Sequence, residues 1–318
     1  MILSKFRRFW WLLFLLTLLS CTKKSTDGGG REPPIISQFF DRPAWHPDGR
    51  WIAAEHSDSV DTNGDGEPDR GFAGIWLVNS ENGEKQPLIS GFGLPAWSPD
   101  GKKLALMSGA QIFTVEVTSL EPAQVDTNSL KQLTLEGRNF YPAWSPDGKW
   151  IAYDRTTDTT GIWVMTSEGE GKKRIAGGRM PNWSPNGNYL IYIGFHREIY
   201  RVNFNDTSDV VRLTSLNQTD PYAADTRLPK YSSNGKEILF YFQPRKGYPK
   251  LWVMDADGSN LRSLTKGPDW RNDWSRPDGE RIVFLHWNFL EKVPGSGQLW
   301  IINKDGSGLR QLTFFREG

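Results

Sequence analysis

The sequence predicts an all-β protein folded as a six-bladed β-propeller of four-stranded antiparallel blades, and three observations carry the prediction. A seven-residue turn motif recurs six times, each copy is followed by the same succession of short apolar strands, and 32 Gly and 20 Pro interrupt the 318 residues too often for long helices. The clearest copies are Pro43-Ala44-Trp45-His46-Pro47-Asp48-Gly49, Pro95-Ala96-Trp97-Ser98-Pro99-Asp100-Gly101 and Pro142-Ala143-Trp144-Ser145-Pro146-Asp147-Gly148. Weaker ones run from Pro181 to Gly187, Pro229 to Gly235 and Asn272 to Gly279, the last with one extra residue. From aromatic to aromatic the steps are 52, 47, 39, 48 and 43 residues, the length of a four-stranded blade.

Within the motif, Pro sets φ at the first central position of a type I turn, Asp or Asn suits the second, and Gly takes the left-handed position that closes the hairpin. An apolar strand follows, as in Trp150 to Tyr153 or Ile282 to Leu285. The next has an aromatic or branched centre: Ile75 to Val78, Ile112 to Val115, Ile162 to Met165, Ile199 to Val202, Leu251 to Met254 and Leu299 to Ile302. A last strand is expected at Lys131 to Thr134, Val211 to Thr214, Leu264-Thr265 and Gln311 to Thr313. The motif aromatics are expected to face the next blade, so that Trp144→Ala costs about 3 to 5 kcal/mol. One such sheet exposes two apolar faces, whereas six packed radially cover both faces of each blade and leave only short outer edges. Pro34 to Ser37 echoes Pro87 to Ser90, which raises, and leaves open, the expectation that the N-terminus adds or exchanges an outer strand at the closing blade.

These residues resemble the TolB-like propeller repeat, a relative of the WD repeats, from about Ile35 to Thr313. The resemblance implies the fold and is neutral on activity, because the repeat serves periplasmic TolB proteins, the propeller domains of prolyl oligopeptidases, and some lyases. TolB itself carries an additional N-terminal α/β domain, for which this chain leaves no room.

Lys5, Arg7 and Arg8 precede an apolar run from Phe9 to Leu16, shorter than the roughly 20 residues that span a bilayer, and residues 1–20 read as an export signal. Leu18-Leu19-Ser20-Cys21 resembles the bacterial lipobox, whose Cys thiol is alkylated by diacylglycerol. Cys21 is the only cysteine, and lipidation accounts for a lone thiol in an exported chain. Residues 21–34 are polar and Gly-rich, a flexible tether, and residues 35–318 form the propeller. Thr22 is not the Asp that holds some lipoproteins at the inner membrane, so the outer membrane is the expected destination. Lys plus Arg number 38 against 37 acidic residues, and 35 against 37 without Lys5, Arg7 and Arg8, which leaves no basic stripe for nucleic acid.

In an up-and-down blade the Asp-Gly turns and the turns between third and fourth strands share one rim. The other rim collects the long, varied loops: His56 to Gly74, Ser215 to Leu228, Gln243 to Lys250, Lys266 to Asp273 and His286 to Gln298. Binding residues concentrate on such loops. Candidate contacts for an envelope protein or glycan are Arg138, Phe140, Arg179, Tyr222, Arg227, Trp270, Arg271 and Trp287. The expected protein is a lipid-anchored monomeric scaffold rather than an enzyme, since no G-x-S-x-G elbow, Walker A loop or H-E-x-x-H helix occurs. A Tol-system-like envelope component is one alternative.

A metal-dependent polysaccharide lyase is the other alternative. Oligogalacturonate lyases, built on similar repeats, hold a divalent metal at the propeller centre with three His and a Gln, a set with no residue-by-residue match here. His56 and His286 nevertheless share a register position, each seven residues after its motif glycine, and His196 would reach the same rim. A separate cation signal lies in the insert Asp61-Thr62-Asn63-Gly64-Asp65-Gly66-Glu67-Pro68-Asp69. Asp61, Asn63, Asp65 and Asp69 put oxygen-bearing side chains at positions 1, 3, 5 and 9, Gly66 sits at the sharp turn, and Glu67 offers its backbone carbonyl. Over these nine residues the insert resembles the calcium loops of type-3 thrombospondin and dockerin-like repeats, which implies bound Ca2+. Phe72 replaces the bidentate Glu of an EF-hand, so another acid such as Asp58 has to complete the shell.

Overall fold

Each motif turn reverses the chain, and two more reversals complete a sheet. The computed structural model describes residues 35–60, 70–157, 159–216, 225–287 and 297–314, all within the second of two units, Met1–Pro33 and Pro34–Gly318. Blade 1 comprises β1 (Ile35–Trp45), β2 (Trp51–Val60), β3 (Arg70–Asn79) and β4 (Lys85–Ser90), and blade 2 comprises β5 (Gly93–Trp97), β6 (Lys103–Ser108), β7 (Gln111–Leu120) and β8 (Ala123–Gln132). Blade 3 is β9 (Asn139–Trp144), β10 (Trp150–Arg155), β11 (Gly161–Thr166) and β12 (Lys173–Ala176), and blade 4 is β13 (Arg179–Trp183), β14 (Tyr189–Ile193), β15 (Ile199–Asn203) and β16 (Val210–Arg212). Blade 5 is β17 (Asp225–Tyr231), β18 (Glu237–Gln243), β19 (Lys250–Asp255) and β20 (Arg262–Ser263), and blade 6 is β21 (Asp269–Trp274), β22 (Arg281–Trp287), β23 (Gly297–Asn303) and β24 (Arg310–Gln311). Every sheet is antiparallel with its strands in sequence order, so the fold is the expected six-bladed propeller.

The motif chemistry is visible in the turns. Ser98 Oγ donates to Asp100 Oδ1 at 2.6 Å and accepts Lys103 N at 2.9 Å, and Asp100 Oδ1 also accepts Lys102 N at 3.1 Å. The same net recurs at Ser145–Asp147, Ser184–Asn186, Ser232–Asn234 and Ser275–Asp278. It holds the Asp100 and Asp147 carboxyls below their usual range, chiefly through the serine hydrogen bond. The six motif glycines have φ between +68° and +77°, as the turn requires. In blade 1 His46 replaces the serine: its Nδ1 accepts Asp48 N at 3.1 Å, and its Nε2 lies 3.2 Å from Gly101 O of blade 2.

The motif aromatics look backward rather than forward. Trp97, Trp144, Trp183 and Trp274 each donate Nε1–H to a carbonyl of the preceding blade, on Ala44, Ala96, Ala143 and Lys230, at 3.1 to 3.2 Å. Trp45 and Trp274 are fully enclosed, at 1% and 2% exposure, but Trp144 is only half-buried. The cost of truncation expected for Trp144 therefore belongs to Trp45 and Trp274, and that of Trp144 is smaller.

The expected outer strands are present at Lys131-Gln132, Val211-Arg212 and Gln311, but the Leu-Thr pairs that close the expected segments follow the strands rather than belonging to them. Leu133, Leu213, Leu264 and Leu312 donate N–H to the carbonyls of Ile112, Ile199, Leu251 and Leu299 at 2.8 Å. Thr134, Thr214, Thr265 and Thr313 then accept the amides of those same four residues at 2.8 to 3.1 Å. A hydroxyl thus ends the ladder where a backbone carbonyl would extend it.

Among the described residues, no N-terminal strand is exchanged with blade 6. β1 pairs only with β2, from Ile35 opposite Val60 to Trp45 opposite Ile52, and β24 is the outer strand of blade 6. With this long partner, β2 and β3 continue to Val60 and from Arg70, so most of the expected His56 to Gly74 loop is strand. Side chains close the seam between blades 6 and 1. Asp273 Oδ2 accepts Trp45 N at 2.7 Å, Arg281 pairs with Glu81 at 2.6 Å, and Phe40, Trp45, Ile52, Val283, Leu299 and Ile301 share one buried cluster.

Candidate functional site

The innermost strands break their ladders at one common position. Each carries a register shift there. The residues at the break are Arg42, Leu94, Tyr141, Met180, Leu228 and Arg271, all with φ between +46° and +57°. A left-handed non-glycine backbone costs of order 1 to 3 kcal/mol, so six in one ring mark a feature held against strain. Together they line a cavity of about 50 Å³ in the central channel.

The ring is charged on one side and largely apolar on the other. Arg42 lies 2.6 Å from Glu55 and 3.1 Å from Asp41, and Arg271 Nε donates to the same Asp41 at 3.0 Å. Burial works against the Arg42 charge, but Asp41 and Glu55 hold its pKa above the ordinary value. Arg271 also donates to Tyr241 Oη at 3.1 Å, and burial pushes the Tyr241 phenol up to about 12. Leu94, Tyr141, Met180 and Leu228 complete the ring.

A second tier supports it. Glu55 Oε1 accepts the amide of Leu94 at 2.6 Å, and Asp154 Oδ2 accepts that of Met180 at 3.2 Å. Asp154 is 2% exposed, and its Oδ1 has no hydrogen-bond partner among the described residues. Burial pushes its pKa up to about 7, partly offset by the Met180 amide and Arg179.

Several of the residues singled out in the sequence meet at this face. Trp270, Arg271 and Trp287 join Phe39, Asp41 and Leu285 around a cleft of about 190 Å³ at the seam of blades 6 and 1. The Trp270 and Trp287 rings are 6.3 Å apart, and Phe39 lies 6.1 Å from Trp287. Arg138 stands over Phe140 at 5.8 Å, Arg179 opens β13, and Arg227 is bonded to Asp225. Sequence reasoning missed Arg42, Tyr141, Glu55 and Tyr241. For Arg42 and Tyr141 the sequence cue is a place before proline, shared by five of the six copies, which does not by itself reveal the bulge; Glu55 and Tyr241, on β2 and β18, carry no such cue.

Tyr222 and the insert Asp61, Asn63, Asp65, Glu67 and Asp69 lie outside the described residues. Asp58 already accepts Gln38 Nε2 at 3.0 Å and lies 2.9 Å from His56 Nε2. Burial alone would raise its pKa, but the His56 and Gln38 bonds hold it below the usual range. His56 is buried between the rings of Phe40 and Trp76, whereas His286 Nδ1 lies 2.7 Å from Asp269 Oδ1 and His196 stands on an exposed turn. His56 and His286 do share one register, opposite Phe40 and Asp269. Among the described residues no group of three or more His, Cys, Asp or Glu side chains is arranged to hold a metal ion.

No family model matches the chain, and no curated protein matches it. Solved structures do. TolB from Acinetobacter baumannii matches with a TM-score of 0.61 at 17% identity, over 86% of this chain and 78% of its own. A TolB-type protein from Agrobacterium tumefaciens matches with a TM-score of 0.58 at 22% identity, over 76% and 84%. An oligogalacturonate lyase in complex with manganese matches with a TM-score of 0.55 at 12% identity, over 86% and 77%. Likeness at these identities is a likeness of fold, and the fold is that of the six-bladed TolB-like propellers.

Proposed function

We propose that the chain is a lipid-anchored envelope propeller that binds a protein or glycan on its loop face, at the channel mouth and the adjoining aromatic cleft. The ring of six side chains borne on left-handed backbone carries this reading, because strain repeated in every blade is retained where side chains must be aimed. The half-buried Trp270 and Trp287 add stacking surfaces beside it. Likeness to TolB structures supports an envelope setting. No helix among the described residues is long and apolar enough to cross a membrane. The membrane attachment proposed, on the lipobox-like Leu18-Leu19-Ser20-Cys21, is the diacylglycerol on Cys21, and fatty-acid label persisting on Cys21→Ser would refute it. For the binding face, Trp287→Ala and Arg179→Glu should each abolish retention of envelope protein or glycan on the immobilised chain, while Asp257→Lys on the opposite rim leaves it intact. The reverse pattern would place binding on the Asp-Gly face.

A further inference from the structure

The exposed apolar side chains have different surroundings on the two rims. Leu135, Phe195, Tyr248 and Phe314 are 80%, 74%, 54% and 59% exposed. They stand between β8 and β9, between β14 and β15, between β18 and β19, and just after β24, all loop-face positions spread around the ring. A single exposed apolar residue is ordinary, but three aromatic tips and a leucine on one face form a surface suited to an apolar phase. Towards the Asp-Gly rim Val210, Leu261 and Leu309 are exposed too, but each follows an exposed aspartate by four residues. Those aspartates, Asp206, Asp257 and Asp305, are held below the usual carboxylate range, chiefly by the hydroxyls of Ser208, Ser259 and Ser307, so they stay charged and hydrated. The loop-face tips have the opposite setting. Within two residues of the four tips Glu136 is the only acid, and it lies 3.9 Å from Arg155. Arg245 and Lys246, both exposed, precede Tyr248, and Arg197, 3.8 Å from Asp225, follows Phe195. Apolar tips flanked by cations match the interface of an anionic lipid surface.

We propose that the loop face rests on an anionic phospholipid bilayer, with Leu135, Phe195, Tyr248 and Phe314 set about 5 to 10 Å into the headgroup–acyl boundary and Arg197, Arg245 and Lys246 against lipid phosphates. The approach rests on the Cys21 anchor proposed above: β1 enters the propeller from the loop-face side, and residues 21–34 as a flexible tether span about 20 Å on average. A partner at the channel mouth is then one held in or on the same membrane. The test uses the full lipidated chain in vesicles of phosphatidylethanolamine and phosphatidylglycerol, with one nitroxide at a time on Leu135→Cys, Phe195→Cys, Tyr248→Cys or Asp257→Cys. Power saturation reads the access of each label to oxygen, which concentrates in lipid, and to a water-soluble nickel chelate. The oxygen-to-nickel ratio of the first three labels should exceed that of the fourth about tenfold, and Arg245→Glu with Lys246→Glu should lower it several-fold for the label on Tyr248→Cys. Equal ratios for all four labels on a chain that still sediments with the vesicles would overturn the contact and leave the Cys21 anchor standing, whereas a chain that does not sediment would overturn both. A high ratio for the Asp257→Cys label alone would put the opposite rim on the membrane and overturn the proposal, and an unchanged ratio after charge reversal would remove the lipid phosphates from it.

Discussion

Asp154 shows what one buried carboxyl does to a propeller. Glu55, Asp154 and Tyr241 occupy equivalent places, opposite Asp41, Phe140 and Arg227, and each bonds the left-handed residue of the following blade. Glu55 is compensated by Arg42, whereas Asp154 has no ion-pair partner among the described residues. With a folded pKa near 7, above that of an unfolded carboxyl near 4, the folded chain holds a proton that the unfolded chain releases. Its contribution to stability is therefore present below about pH 4 and is lost as the pH rises towards 7. Asp154→Asn keeps the acceptor for Met180 N and removes that loss. Urea midpoints should match wild type at pH 4, and the variant should gain up to roughly 4 kcal/mol by pH 8. An equal difference at both pH values would contradict the assignment. The sequence showed Asp154 merely as the polar end of an apolar strand, because its burial depends on the blade packed beside it.

At the scale of elements, the six motif turns were legible because Pro, Asp and Gly each answer a local demand that one turn satisfies. The Leu-Thr signals were legible as position but not as structure: a threonine hydroxyl replacing a carbonyl in a ladder leaves the same apolar pattern. The channel-mouth bulges were not legible, since the residue before each proline varies from Arg to Leu to Tyr, and only register shows that it is one site. The calcium prediction falls on residues 61–69, outside the described residues and between β2 and β3 in sequence. We propose Ca2+ for residues 61–69, and calorimetric titration of the metal-free chain should show binding at up to millimolar Ca2+ that Asp61→Ala or Asp65→Ala abolishes. Identical heats and melting temperatures for wild type and both variants, with and without Ca2+, would remove the site.

For the molecule as a whole, the number of blades was readable from repeat spacing, but the mode of closure was not. The echo of residues 34–37 in residues 87–90 left a shared outer strand open, and among the described residues blades 6 and 1 meet side chain to backbone at Asp273 and Trp45. Closure brings Arg271 of blade 6 against Asp41 of blade 1, and with it the Trp270–Trp287 cleft against Phe39. The loop face is thus assembled by the ring, which is why residues far apart in sequence meet there. The most direct test of that face is in-cell photo-crosslinking from a benzoylphenylalanine placed at Trp287, at Phe140, and at Asp257 on the Asp-Gly rim. Adducts of one discrete size from Trp287 and Phe140, with none from Asp257, are the predicted result; adducts from Asp257 alone would contradict it.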